Sequence, residues 1–190
     1  MESLKKLLSG LNAESSVKDI EKTFSEIADI LLFKSIIKTD FGNYRLLEIE
    51  FYFKNKNHED NVTIERTAEA GMWWLHEYGV DLSFKSVEKE YYGGILIRSM
   101  MPLDDNRINK EVFFGPRKCC WELFYSSALE QNSAPCIVAS DEKTQLSGKK
   151  ETTERYITGK TKKIDGNYRF YVDGLNLTID PNYKKMSPWK

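Results

Sequence analysis

The chain has 190 residues, 41% of them hydrophobic, and a formal net charge of −1. It is long enough for one domain with a buried core, and it carries no apolar run near the roughly 20 residues needed to span a bilayer. Its near-neutral charge argues against a partner held mainly by electrostatics. The charge is uneven, however: residues 141–190 hold 11 Lys and Arg against 7 Asp and Glu, a local +4 that leaves −5 for residues 1–140. Lys149, Lys150, Arg155, Lys160, Lys162 and Lys163 could form a basic surface there. Residues 1–6 lack the apolar stretch and cleavage site of a secretory signal. Cys119, Cys120 and Cys136 are odd in number, which points to free thiols in a reducing, cytoplasmic setting. With two histidines and no Cys-x-x-Cys, neither a metal site nor a cofactor is expected.

In chain order, residues 2–8 read as a short helix and residues 15–33 as an amphipathic one. Val17, Ile20, Phe24, Ile27 and Leu31 recur at three- and four-residue steps, and Ser16 with Asp19 supplies an N-terminal cap. Residues 32–38 are apolar and β-branched, and residues 40–43 form a turn into a strand over 46–53. That strand alternates, with Leu47, Ile49, Phe51 and Phe53 on one face and Leu46, Glu48, Glu50 and Tyr52 on the other. Two acids and a tyrosine on one face fit either a solvated sheet face or a carboxylate poised beside an aromatic to activate water.

Residues 54–61 read as a polar loop holding His58. Trp73, Trp74 and Tyr78 cluster before Gly79, and alternation resumes over residues 80–84. Ile95-Leu96-Ile97 is a buried strand, Pro116 opens a helix that includes residues 119–129, and residues 140–163 are irregular. An aromatic strand covers residues 168–172 before a polar tail. The expected fold is α+β: one domain, 1–190, with helices over 1–33, a curved, open-barrel-like antiparallel sheet over 34–175 and a tail over 176–190. The cysteines are read first as small buried hydrophobes.

Several of these segments share an order. Glu48-Ile49-Glu50-Phe51-Tyr52 is followed by His58, then Tyr78-Gly79, then Ile95-Leu96-Ile97-Arg98-Ser99. Gly115-Pro116-Arg117-Lys118-Cys119-Cys120 and Arg169-Phe170-Tyr171-Val172 complete the series. In this order the chain resembles the alkyladenine (3-methyladenine, or methylpurine) DNA glycosylases. The resemblance implies hydrolysis of the N-glycosidic bond of a damaged purine flipped out of duplex DNA, as in base-excision repair. Glu50 matches the general base and Arg98 the arginine that positions it. Tyr52 and His58 match two walls of the base pocket, Tyr78 the wedge that fills the vacated stack, and Lys118 a residue bordering the site. No lysine nucleophile is implied, so the product would be an abasic site.

Two positions depart from the family. The helical aromatic segment before the wedge has a tyrosine wall where this chain has Leu75, with Trp73 or Trp74 as its replacement. The pocket asparagine has Asp81 as its nearest counterpart, an acid expected to sit close to Glu50 and repel it. The alternative is a binding module for a nucleoside, a nucleic acid or a protein that keeps the fold without the chemistry.

Overall fold

The computed structural model describes residues 1–103, 112–124, 134–141, 147–157 and 166–189. Two helices come first, α1 (Glu2–Gly10) and α2 (Val17–Phe33). Ser16 and Asp19 form the reciprocal capping box expected of them, with the Asp19 N–H donating to Ser16 Oγ at 3.2 Å and the Ser16 N–H to Asp19 Oδ2 at 3.3 Å. α2 buries Ile20, Phe24, Ile27 and Leu31 against the sheet, where Phe24 stacks on Phe51 with centroids 4.5 Å apart.

The strands among the described residues are β1 (Ser35–Thr39), β2 (Gly42–Lys54), β3 (Trp73–His76), β4 (Gly79–Ser83), β5 (Tyr92–Pro102), β6 (Phe113–Phe114), β7 (Cys136–Ala139), β8 (Lys149–Thr153) and β9 (Arg169–Asp173). All pair antiparallel, in the order β3-β4-β5-β2-β1-β7, with β9 further along the same edge of β2 and β8 outside β9. The sheet curls into a half-barrel, so the α+β, single-domain expectation holds. A third helix, α3 (Pro116–Phe124), begins at the proline as predicted. Residues 125–129, expected to continue it, lie outside the described residues.

Four sequence expectations need correction. The aromatic segment before Tyr78 is a strand and not a helix, because bulky aromatics suit a pleated surface and pair here with β4. Glu77 and Tyr78 form its two-residue turn. Gly79 closes that turn with φ +151°, and a Cβ there would come within 2.9 Å of the Pro116 carbonyl oxygen.

Residues 149–153 are ordered as β8 instead of irregular, since β9 offers them a free edge. The basic surface also loses members. Arg155 is buried against Asp60, and Lys150 binds Asp29 at 2.7 Å and Ser25 Oγ at 2.8 Å, while Lys160, Lys162 and Lys163 lie outside the described residues. The tail is not a polar appendage. Tyr183 is buried against Phe114, and the Trp189 indole donates to the Val172 carbonyl at 2.8 Å. None of the described helices is long and apolar enough to cross a membrane.

Candidate active site

Two irregularities in the β2–β5 ladder build the site. Leu46 pairs with Met100 and Glu48 with Ser99, so Leu47 is an extra residue on β2; Ile49 then pairs with Ile97, so Arg98 is an extra residue on β5. Such bulges re-aim side chains. Leu46 joins the core with Ile49, Phe51 and Phe53, while Leu47 lies outside that cluster. The assignment of these two leucines from simple alternation is thus reversed, because alternation cannot anticipate an inserted residue. On β5 the same device lets both Arg98 and Ser99 reach Glu48.

Glu48 is fully buried and holds the elements together. It accepts from Ser99 Oγ at 2.5 Å, Arg98 Nε at 3.1 Å, Arg169 Nε at 2.5 Å and the Tyr183 hydroxyl at 2.9 Å. Glu50, equally buried, takes Arg98 Nη1 at 3.0 Å and the Tyr52 hydroxyl at 2.7 Å on Oε2. Its Oε1 accepts the Tyr156 N–H at 3.2 Å, and Arg169 Nε stands at 3.7 Å, too far for a hydrogen bond. Two arginines therefore balance two carboxylates. Burial alone would weaken the Arg98 proton's hold, but Glu50, Tyr183 and Glu48 outweigh it and raise its pKa. Burial and then Glu50 push the Tyr52 phenol well above its ordinary range, so the hydroxyl stays a donor.

Behind Tyr52 the side chains lie in layers. The Arg155 guanidinium sits 4.6 Å from the Tyr52 ring centroid and 5.4 Å from that of Tyr168, and it pairs through both nitrogens with Asp60 at 2.6 and 2.9 Å. His58 forms the last layer, with Nδ1 2.7 Å from the Phe53 carbonyl and Nε2 3.1 Å from the Tyr168 hydroxyl. It is neither a solvated loop residue nor a neighbour of Glu50. Arg155 and Tyr168 stand between it and Tyr52, because its polar loop folds back onto the core side of β2.

The strand registers align one row across five strands: Trp74, Asp81, Leu96, Glu50 and Arg169. Asp81 therefore shares the face of Glu50 with one residue between them. The expected repulsion is offset locally, since Asp81 binds Arg66 Nη2 at 2.7 Å and His76 Nε2 at 3.1 Å. Trp74 is on this face and Leu75 is on the other, opposite Val80 and toward α3. Of the two aromatic replacements considered for the missing wall, only Trp74 is on the correct side. Tyr78, at the tip of the β3–β4 turn, is 54% exposed.

A groove of about 440 Å³ lies between Leu75, His76, Gly79, Arg117 and the α3 residues Cys120 and Trp121. A wider cleft of about 930 Å³ runs along α1 and α2. Neither is lined by Glu50, Tyr52 or Arg98. Lys118 pairs with Asp180 at 2.5 Å. The cysteines divide by depth: Cys119 is buried, its thiol pKa raised by that burial, Cys120 is half-buried and Cys136 exposed.

Arg169, Tyr183, Ser99, Arg66 and Arg155 were not singled out as site residues. Arg169 and Ser99 had a signal, as the first residue of the Arg169-Phe170-Tyr171-Val172 segment and the last of Ile95-Leu96-Ile97-Arg98-Ser99; the others reach the face from loops or the tail. No protein-family model matches the chain, and no curated protein is significantly similar to it.

Proposed function

We propose that the chain is a monofunctional DNA glycosylase that hydrolyses the N-glycosidic bond of a damaged purine flipped out of duplex DNA. The observation that carries this reading is the Glu50 carboxylate. Arg98 and Tyr52 fill Oε2, while Oε1 accepts a single N–H among the described residues, which leaves it a lone pair able to take a proton from water. The water gives its proton to Glu50 as its oxygen bonds to the sugar C1′. The C1′–N bond breaks and its electron pair leaves with the base; a cationic alkylated purine departs neutral, and a neutral purine takes a proton from solvent. Tyr52 supplies a ring for stacking, and Tyr78 projects from a turn as a side chain able to occupy the gap left in the duplex. Such an enzyme would act on cytoplasmic DNA and leave an abasic site.

The test is base release from duplex oligonucleotides carrying 3-methyladenine, hypoxanthine or ethenoadenine. Glu50→Gln should lower release by about 10²–10⁴-fold, the usual worth of a general base, with DNA binding retained. An unchanged rate would remove Glu50 from the mechanism. The full burial of Glu50 favours a second reading, a binding module of the same fold without hydrolysis. Under that reading the folded wild-type protein binds DNA or nucleosides but releases no base.

A further inference from the structure

One residue row inward from Asp81 and Glu50, the face contains Ser83, Gly94 and Tyr52 in register across β4, β5 and β2. Arg66 reaches over this row from the segment between β2 and β3. Its Nη2 binds Asp81 and its Nε donates to the Ile64 carbonyl at 3.1 Å, but Nη1 has no partner among the described residues although it is buried. That nitrogen lies 2.9 Å from where a Cβ of Gly94 would be, so only glycine leaves it room. Ser83 Oγ, on the other side of Gly94 from Tyr52, is also buried and without a partner among the described residues. A polar group left buried and unmatched destabilises the fold, and here two of them flank one glycine beside the tyrosine assigned to stacking.

Both groups can donate, and the arginine can do nothing else. What satisfies them together is an atom with two lone pairs, such as a carbonyl oxygen. An exocyclic amine would set N–H against N–H. We propose that Arg66 Nη1 and Ser83 Oγ form a subsite that reads an acceptor on a purine stacked at Tyr52, selecting a 6-oxopurine over a 6-aminopurine. This inference rests on the glycosylase reading for its substrate, and it explains why Asp81 does not make the pocket acidic. The carboxylate is spent on Arg66 and His76, and orients the guanidinium.

The experiment compares release of hypoxanthine and 3-methyladenine from matched duplexes, together with binding of free inosine and adenosine followed by tryptophan fluorescence. The Arg66 guanidinium lies 5.2 Å from the Trp74 ring centroid, so occupation should perturb that signal. Wild type should favour hypoxanthine. Ser83→Ala should cut the hypoxanthine to 3-methyladenine ratio about fivefold, the worth of one hydrogen bond, without lowering the melting temperature. Arg66→Lys keeps a cation beside Asp81 but loses the second N–H prong, and should cut the ratio as well. If that variant does not fold, Ser83→Ala carries the test alone. Release of 3-methyladenine with no preference for hypoxanthine, or a ratio unmoved by Ser83→Ala, overturns the subsite and leaves the glycosylase reading standing. Release of neither base overturns the glycosylase reading, and the nucleosides then decide the subsite. Tighter inosine binding that Ser83→Ala abolishes upholds it, while equal binding or none overturns it.

Discussion

The Glu48–Glu50 cluster and the Asp81–Arg66 cluster occupy the same face of one sheet and are both closed to solvent, yet they are matched differently. Around Glu48, donors arrive from β5, β9 and the tail until the carboxylate is saturated. Around Arg66 and Ser83, one guanidinium nitrogen and one hydroxyl have no partner among the described residues. The first arrangement ties the tail and three strands together. The second gains nothing for the fold from its unmatched groups, which suits them to recognition of a ligand. A buried polar network contributes to stability only when its members are satisfied, so the two clusters should respond oppositely to deletion.

Glu48→Ala should produce the largest effect. It strands Arg98 and Arg169 without their shared carboxylate, and breaking a buried pair typically costs about 3–5 kcal/mol. Urea unfolding measures it, and a loss below about 1 kcal/mol would mean the cluster is not the fold's fastening. Glu48 shares the strand face with Glu50, but this saturation disqualifies it as an inert control for Glu50→Gln.

Gly94→Ala comes next, at about 1–3 kcal/mol for overpacking, because the new methyl would meet the Asp81 side chain at 2.7 Å and Arg66 Nη1 at 2.9 Å. It should also weaken inosine binding. A variant with wild-type stability would show that the Arg66–Asp81 pair is free to swing away from β5.

A smaller effect follows pH. Burial, the first cause, lowers the His58 pKa below its ordinary 6.5. As pH falls through 6.5 the unfolded chain takes a proton that the folded chain refuses, so stability declines from there down to the folded-state value. Thermal melts between pH 7.5 and 5 should fall more steeply for wild type than for His58→Gln. Equal slopes would mean His58 protonates within the layered stack behind Tyr52.

The smallest stability change belongs to Ser83→Ala, within about 0.5 kcal/mol or slightly stabilising, since it removes a hydroxyl with no partner among the described residues. A clear loss of stability would assign Ser83 to the fold and sharpen the contrast out of existence.

Local pattern determined a good deal. The three-and-four spacing from Val17 to Leu31 and the Ser16–Asp19 pair specified α2 and its cap, because both depend on residues within a few positions of one another. Alternation over Ile49, Glu50, Phe51 and Tyr52 placed the acid and the tyrosine on one face, and Pro116 marked the start of α3. The tertiary structure decided the rest. A compensating pair of bulges exchanged the faces of Leu46 and Leu47 and let Arg98 and Ser99 reach one carboxylate. Arg155, assigned to a basic surface by composition, became a buried layer behind Tyr52, and His58 left a polar loop for the core. Arg66, Ser83 and Tyr183 are separated by 17 and 100 residues in sequence, and no local periodicity links them. Only strand register and the docking of the tail bring such residues to one face, and register is a property of pairs of strands that neither strand carries alone.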